Sequence, residues 1–193
     1  ALTTTGNGLY VGTAKSTTIL CIKPINFNRN RMVYLGSASL GSAATSMTVS
    51  SLVTTPYKHI KIIGQYGKNN RNGTADGLYL EINGDGGSNY YSTNFRPADA
   101  GTNKTINVNQ VNMSAFEIGL TVYTSDFVTL EIDIEKITGQ IATIKSATGG
   151  GYNLTAMNFA SGYYNSTTAI TEIKLLSSAE FPAGSYIDVY GIL

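Results

Sequence analysis

Three acidic residues alternate along one strand-like stretch, and pairs of acidic side chains are the groups with which glycosidases cleave sugars. Within VTLEIDIE, Glu131, Asp133 and Glu135 are spaced by two, which places neighbouring carboxyl groups about 7 Å apart on one strand face. An apolar residue occupies every intervening position, and this alternation is typical of a strand with one buried and one solvated face. We therefore predict that these acids are solvated and that the protein is not an enzyme, with a glycosidase as the alternative.

The chain contains one histidine and one cysteine, which limits both nucleophilic catalysis and metal binding. A Ser-His-acid site needs the histidine as its base, but His59 lies in the alternating stretch YKHIKII, and no G-x-S-x-G motif accompanies it. A zinc site would have to combine His59 with Cys21 and with carboxylates, and the glycine-rich stretches lack the Lys-Ser/Thr of a P-loop. We predict no catalytic residue, no metal site and no bound cofactor.

The stretch EINGDGGSNYYSTNF, from Glu81 to Phe95, has the composition of either a calcium loop or a turn. An EF-hand loop starting at Asn83 would need glycine at its sixth position and glutamate at its twelfth, but those positions hold Ser88 and Asn94. The Asn-Gly and Asp-Gly dipeptides accept positive φ, and a strand-like run lies on each side of them. We predict a turn that joins the two runs as a hairpin.

Two pairs of adjacent tyrosines are candidates for a functional surface. They are Tyr90 with Tyr91 and Tyr163 with Tyr164, and neighbouring residues of a strand point to opposite faces. One ring of each pair is therefore predicted to lie in the core and the other to face outwards. An outward tyrosine offers apolar area and a hydroxyl group, which suits a protein interface or a glycan. We predict an interface role for these tyrosines, with glycan contact as the alternative.

The composition argues against several kinds of partner. The 193 residues include 13 Lys and Arg against 12 Asp and Glu, a formal net charge of +1, so we expect no nucleic-acid surface. No apolar run approaches the roughly 18 residues of a membrane span, and the first residues lack a signal-peptide pattern. A single cysteine cannot form a disulfide within the chain. We expect synthesis in the cytoplasm and no membrane insertion.

Short alternating stretches separated by glycine recur along the chain, and no window of a dozen residues has helical periodicity. This predicts an all-β protein, an antiparallel two-sheet β-sandwich of jelly-roll type, in one domain of residues 1–193. The runs FEIGLTV and VTLEIDIE flank the polar YTSD, which predicts an antiparallel hairpin. The run from Ser185 to Ile192 is predicted to lie inside a sheet, and Gly67–Gly77 and Arg96–Thr105 to form exposed loops.

Three blocks resemble, in this order, a family of small structural proteins of tailed bacteriophages: YKHIKIIGQYG, LYLEINGDGGSNYYSTNF and ITEIKLLSSAEFPAGSYIDVYGIL. The middle block resembles the family's strand, N-G-D-x-G-S-N-Y turn and second strand. The last block resembles its G-S-x-I-x-x-Y-G-I ending, and the resemblance covers residues 33–193. It implies a β-sandwich with a buried terminal strand and a place in a virion, without an assigned reaction.

On this resemblance we expect a non-enzymatic virion structural protein made in the host cytoplasm. It would be a tail, fibre or capsid-decorating component that acts by assembly on the particle surface. Its expected partners are other copies of itself, other virion proteins and host cell-surface polysaccharide. The alternatives are a small glycan-binding module and a capsule depolymerase that uses Glu131 or Glu135.

The N-terminal segment, residues 1–31, lies outside the resemblance and is less regular than the remainder. Its stretch TILCIK is apolar on both strand faces, and Arg29 and Arg31 could bind a neighbouring subunit. We predict a symmetric homo-oligomer, a trimer before a dimer, in which this segment is an arm or docking segment. The alternative is that TILCIK forms a central strand of the monomer, since burial within one chain has the same pattern.

Overall fold

A computed structural model of the chain describes residues 32–55, 57–67, 77–97, 104–120, 127–137, 139–149 and 158–193. These residues form twelve β-strands and include no helix long and apolar enough to cross a membrane. The strands are β1 (Met32–Ser39), β2 (Ala44–Val49), β3 (His59–Tyr66), β4 (Gly77–Ile82), β5 (Tyr90–Pro97), β6 (Lys104–Met113), β7 (Phe116–Leu120), β8 (Val128–Glu135), β9 (Ala142–Gly149), β10 (Asn158–Tyr164), β11 (Ile173–Phe181) and β12 (Tyr186–Ile192).

The strands of the described residues form two antiparallel sheets that pack face to face. The large sheet has eight strands in the order β1-β12-β3-β8-β9-β10-β5-β6, and the small sheet has four in the order β2-β11-β4-β7. In the small sheet, β7 packs on β10 and β5, and β2 packs on β1. The predicted all-β antiparallel sandwich is confirmed, whereas its jelly-roll type stays a prediction.

Alternation along each strand determines which side chains enter the space between the sheets. In β8 every second residue is buried, and Glu131, Asp133 and Glu135 between them are exposed, as predicted. Ile62 of β3, Leu80 of β4 and other inward residues of both sheets form one continuous core. Burying each such large aliphatic side chain contributes about 1.5–3 kcal/mol.

The C-terminal strand lies inside the large sheet, as its alternation predicts. β12 pairs with β1 on one side and with β3 on the other, both antiparallel. Ile187 and Val189 are fully buried in the core, and Tyr186, Asp188 and Tyr190 between them are partly exposed. The strand therefore bridges β1 to the centre of the sheet.

Two predicted hairpins are wrong, because each predicted pair is divided between the two sheets. β7 pairs with β4 in the small sheet, whereas β8 pairs with β3 and β9 in the large sheet. β4 pairs with β11 and β7, whereas β5 pairs with β10 and β6. The alternating pattern shows which face of a strand is buried, but two strands on opposite sides of one core have the same pattern as two neighbours.

Several predictions concern residues that lie outside the described ones. These include the proposed arm of residues 1–31 with Cys21, the YTSD connection, and most of the two predicted loops. The ends of the second loop are described as strand, since β5 extends to Pro97 and β6 begins at Lys104.

Candidate functional site

The turn between β4 and β5 carries the chain from the small sheet to the large sheet. Asn83 and Gly84 have φ angles of +58° and +64°, and the Asp85 N–H donates to the Ile82 carbonyl at 3.0 Å. Glycine and asparagine adopt positive φ at less cost than other residues, so the Asn-Gly dipeptide suits this position. The predicted turn is confirmed, although it joins two sheets.

The Asn83 side chain binds residues 165–172, the segment that returns the chain from β10 to β11. Its Oδ1 accepts hydrogen bonds from the backbone N–H groups of Thr171 at 2.8 Å and Glu172 at 3.1 Å. Its Nδ2 donates to the Ala169 carbonyl at 2.8 Å. One side chain thereby holds together two segments that each cross between the sheets.

Asp85 accepts a second set of hydrogen bonds in the same region. Its Oδ1 accepts from the Gly87 N–H at 2.9 Å, and its Oδ2 accepts from Asn89 Nδ2 and from the Tyr164 hydroxyl, each at 2.9 Å. The hydrogen bond from Gly87 is the largest cause that lowers the pKa of Asp85 below its ordinary value. Asp85 is thus a charged structural acceptor rather than a free carboxylate.

The inward tyrosines of the two pairs close the core beside this turn. Tyr90 and Tyr164 are 0% and 2% exposed, and their rings stack with centroids 4.8 Å apart. The Tyr90 hydroxyl accepts from the Ile82 N–H at 2.8 Å. Burial raises the pKa of Tyr90, so its hydroxyl stays protonated. Tyr90 and Tyr164 are buried, so the prediction of surface contact is wrong for them, and of the four predicted tyrosines Tyr91 and Tyr163 remain candidates.

We expect the Asp85 hydrogen bonds to stabilise the fold at neutral pH and to lose their effect in acid. Because folding lowers the pKa of Asp85 below the unfolded value of about 3.9, its contribution is complete above about pH 5 and disappears as the pH falls through the folded pKa. Urea unfolding of the wild type and Asp85→Asn from pH 7 to pH 3 measures this difference. It should shrink towards pH 3, and a difference that stays constant would contradict the role given to the charge.

The outward tyrosines stack on the opposite face of the same strands. Tyr91 of β5 and Tyr163 of β10 are register partners, with ring centroids 4.4 Å apart and ring planes 14° from parallel. The Tyr91 hydroxyl donates to Asn112 Oδ1 at 2.9 Å. Four residues along the same strands, Phe95 and Phe159 are also register partners and are 38% and 44% exposed. This end of the outer face therefore carries two aromatic pairs, in which Tyr163, Phe95 and Phe159 are exposed and Tyr91 is half-buried.

A lysine on the neighbouring strand binds two of the acidic residues of β8. Lys61 of β3 forms an ion pair with Glu131, and its Nζ lies 3.5 Å from Asp133 Oδ1. The hydrogen bond with Glu131 is the largest cause of the raised pKa of Lys61. An ammonium group thus occupies the space between two carboxylates where a glycosidic oxygen would have to lie in a glycosidase.

The remaining candidates for chemistry do not converge. His59 begins β3 on its exposed side, where its register partners are Glu135 and Ile192. Within the part of the chain that the structure describes, no three His, Cys, Asp or Glu side chains are grouped as metal ligands. His59 and the acidic residues of β8 lie on a solvated face of the large sheet.

Sequence reasoning missed three contributors to these sites. Asn83 is predicted from the sequence as a turn residue, but the contacts of its side chain with residues more than eighty positions away leave no local pattern. Lys61 and Phe159 each lie at a position of the strand alternation that faces outwards. That alternation could have indicated that their side chains are exposed, but not which residues they contact. Their partners depend on strand order, which the sequence pattern does not specify.

Comparison of the chain with protein-family models, with curated proteins and with solved structures found no match. The resemblance to phage structural proteins therefore stays a prediction.

Proposed function

We propose that the protein is a non-enzymatic structural component of a bacteriophage particle, in its tail, in a fibre or on the capsid surface. The observation that carries the proposal is the position of the three blocks that resemble phage structural proteins. Each block forms part of the two sheets or of the turn between them. The buried residues of the blocks pack in the core or form hydrogen bonds with the backbone.

The first block contains β3, which pairs with β12 and β8 in the large sheet. The middle block contains the turn at which Asn83 and Asp85 hold the sheet crossings together. The last block forms β11 and β12, which lie between neighbours in the small and large sheets. The three blocks that carry the resemblance thus form strands and a turn of the two sheets. This position supports a structural role for the protein.

The acidic face of β8 also supports a role without catalysis. Lys61 binds Glu131 and Asp133, and the two carboxyl side chains are 54% and 50% exposed to solvent. A glycosidase needs one carboxylic acid as proton donor and a second carboxylate at a defined separation around the bound sugar. The arrangement resembles the ion-paired solvated face of an ordinary sheet.

Quantitative mass spectrometry of purified particles tests the proposal. The chain should occur in a fixed number of copies per particle, in a ratio to the major capsid protein that stays constant through repeated purification. A chain that is present in infected cells but absent from washed particles would contradict it.

We propose further that the protein assembles as a homo-oligomer, a trimer before a dimer, with residues 1–31 as the docking segment. It would contact other virion proteins, and neither nucleic acid nor a membrane interior. We expect multi-angle light scattering to give a trimer for the full chain and a smaller species for a chain that starts at Met32. A monomeric full chain would contradict the oligomer, and a shortened chain that stays trimeric would contradict the role of the segment.

A further inference from the structure

We propose that the outer face of β9 is the floor of a groove that binds a neutral glycan chain. Register places three residues of β9 between β10 on one side and β8 on the other, since β9 pairs with both strands. The two flanking strands are about 10 Å apart, because neighbouring strands are spaced by about 4.8 Å. The β9 groove consists of three rows of register partners: Tyr163, Thr143 and Glu135; Ser161, Lys145 and Asp133; Phe159, Ala147 and Glu131.

Small side chains lie at the two ends of the floor of the β9 groove, with the exposed Lys145 between them. Thr143 and Ala147 are register partners of Tyr163 and Phe159, so a large exposed ring stands beside a small residue in each outer row. Tyr163 is 37% exposed and Phe159 is 44% exposed. The two rings are separated by four residues along β10, about 13 Å, which is long enough for more than one sugar ring.

The stacking of Tyr163 determines which side of its ring is available. One face lies against Tyr91 of β5 at 4.4 Å between centroids. Since the two rings are nearly parallel and stack across neighbouring strands, the other face of Tyr163 is directed towards β9, above Thr143. An aromatic face beside a shallow floor is the surface on which the apolar C–H side of a sugar ring packs, with the hydroxyls left for polar neighbours.

The opposite wall supplies those polar neighbours without a large net charge. Glu131 and Asp133 have side chains 54% and 50% exposed, and both are bound to Lys61. Lys145, exposed in the middle of the floor, is the register partner of Asp133. Carboxylates accept hydrogen bonds from sugar hydroxyls and the ammonium group of Lys145 donates to them, while the opposite charges largely compensate. This charge balance suits a neutral glycan better than an anionic one.

The same charges argue against a second copy of the chain as the occupant. The core of a protein interface is depleted in charged residues, because burying them removes their hydration. Here a row of exposed charges runs through the centre of the face, beside the aromatic wall. A hydrated glycan retains water and hydroxyl groups around such charges, so the β9 groove suits it better. The inference does not depend on the protein's place in a phage particle.

The test uses the full chain and a panel of hexasaccharide probes, measured by isothermal titration calorimetry. The panel contains neutral gluco-, manno-, galacto- and N-acetylglucosamine oligomers, with an oligogalacturonate as the anionic member. We expect at least one neutral probe to bind with a Kd below 1 mM. Tyr163→Ala should weaken that binding by about tenfold or more, equivalent to about 1.4 kcal/mol.

Two further variants keep the result independent of folding defects. Tyr34→Ala removes a tyrosine that is 56% exposed at the far end of the same sheet, and it should leave binding unchanged. Ala147→Arg fills the floor of the β9 groove without removing an aromatic ring, and it should weaken binding as much as Tyr163→Ala. Failure of every neutral probe at 10 mM, tighter binding of the anionic probe, or equal loss in Tyr34→Ala would overturn the inference.

Two other outcomes separate this inference from the proposed function. Release of new reducing ends from a bound probe, lost in Glu131→Gln, would support the groove and overturn the non-enzymatic role. A full-length oligomer that dissociates in Tyr163→Ala and binds no probe would show an interface between copies, and would overturn the groove alone.

Discussion

Replacing Gly162 with alanine is expected to destabilise the protein by roughly 3 kcal/mol or more, because the strands leave no room for a side chain there. A Cβ atom at Gly162 of β10 would overlap the carbonyl oxygen of Tyr91 on β5 and would lie 2.9 Å from Phe116 Cε2. The carbonyl belongs to a paired strand, and Phe116 of the other sheet is fully buried. Relief would have to separate β5 from β10 or lift β7 from the core.

Urea unfolding of Gly162→Ala and two matched glycine variants measures this effect. At Gly41 and Gly86 an added Cβ meets no atom within 4 Å, and neither residue has a positive φ. Both control variants should unfold within about 1 kcal/mol of the wild type. A Gly162→Ala protein as stable as these controls would contradict the strand packing described for β5, β10 and β7.

Replacing Asn83 is expected to produce the second large effect, because one residue supplies both the turn conformation and the contacts between the sheet crossings. Asn83→Gly keeps the positive φ but loses the hydrogen bonds to Ala169, Thr171 and Glu172. At about 0.5–1.5 kcal/mol for each bond, partly replaced by water, we expect a loss of about 2 kcal/mol. Asn83→Ala adds the cost of positive φ, and should lose about 3 kcal/mol.

The informative result is which of the two Asn83 variants has the lower free energy of unfolding. Comparing their free energies of unfolding separates side-chain hydrogen bonding from backbone strain, since both variants lack the amide. If Asn83→Ala proves as stable as Asn83→Gly, the positive φ contributes nothing. If both match the wild type, the crossings are held by other contacts, such as the Asn165 N–H that donates to the Asn89 carbonyl at 2.8 Å.

The faces of the strands could be predicted from the sequence, because burial leaves a period of two in one short stretch. β8 shows this most clearly, because the sequence predicts which of its residues are exposed and which are buried one by one. The partner of each strand could not be predicted, because β7 and β8 on opposite sides of the core have the same pattern as two neighbours. The turn chemistry of Asn83 and Gly84 was likewise evident, but a tight turn can end in either sheet.

For the outer face of β9 and its neighbours, the sequence likewise predicts which side chains face outwards but not which of them lie side by side. The alternation predicts that one tyrosine of each pair faces outwards. In the structure these are Tyr91 and Tyr163. Their stacking on each other, and the alignment of Phe159 with Ala147 beside the acids of β8, depend on the order β8-β9-β10-β5. That order is a long-range property of the fold, so the sequence alone could not suggest the proposed β9 groove.

Electron cryo-microscopy of purified particles, at a resolution that separates strands, tests the central claim most directly. We predict density for the sandwich of eight-stranded and four-stranded sheets, repeated by symmetry on the tail, on a fibre or on the capsid surface. A reconstruction of intact particles in which other chains account for all of the ordered density, with this chain absent by mass spectrometry, would contradict the claim.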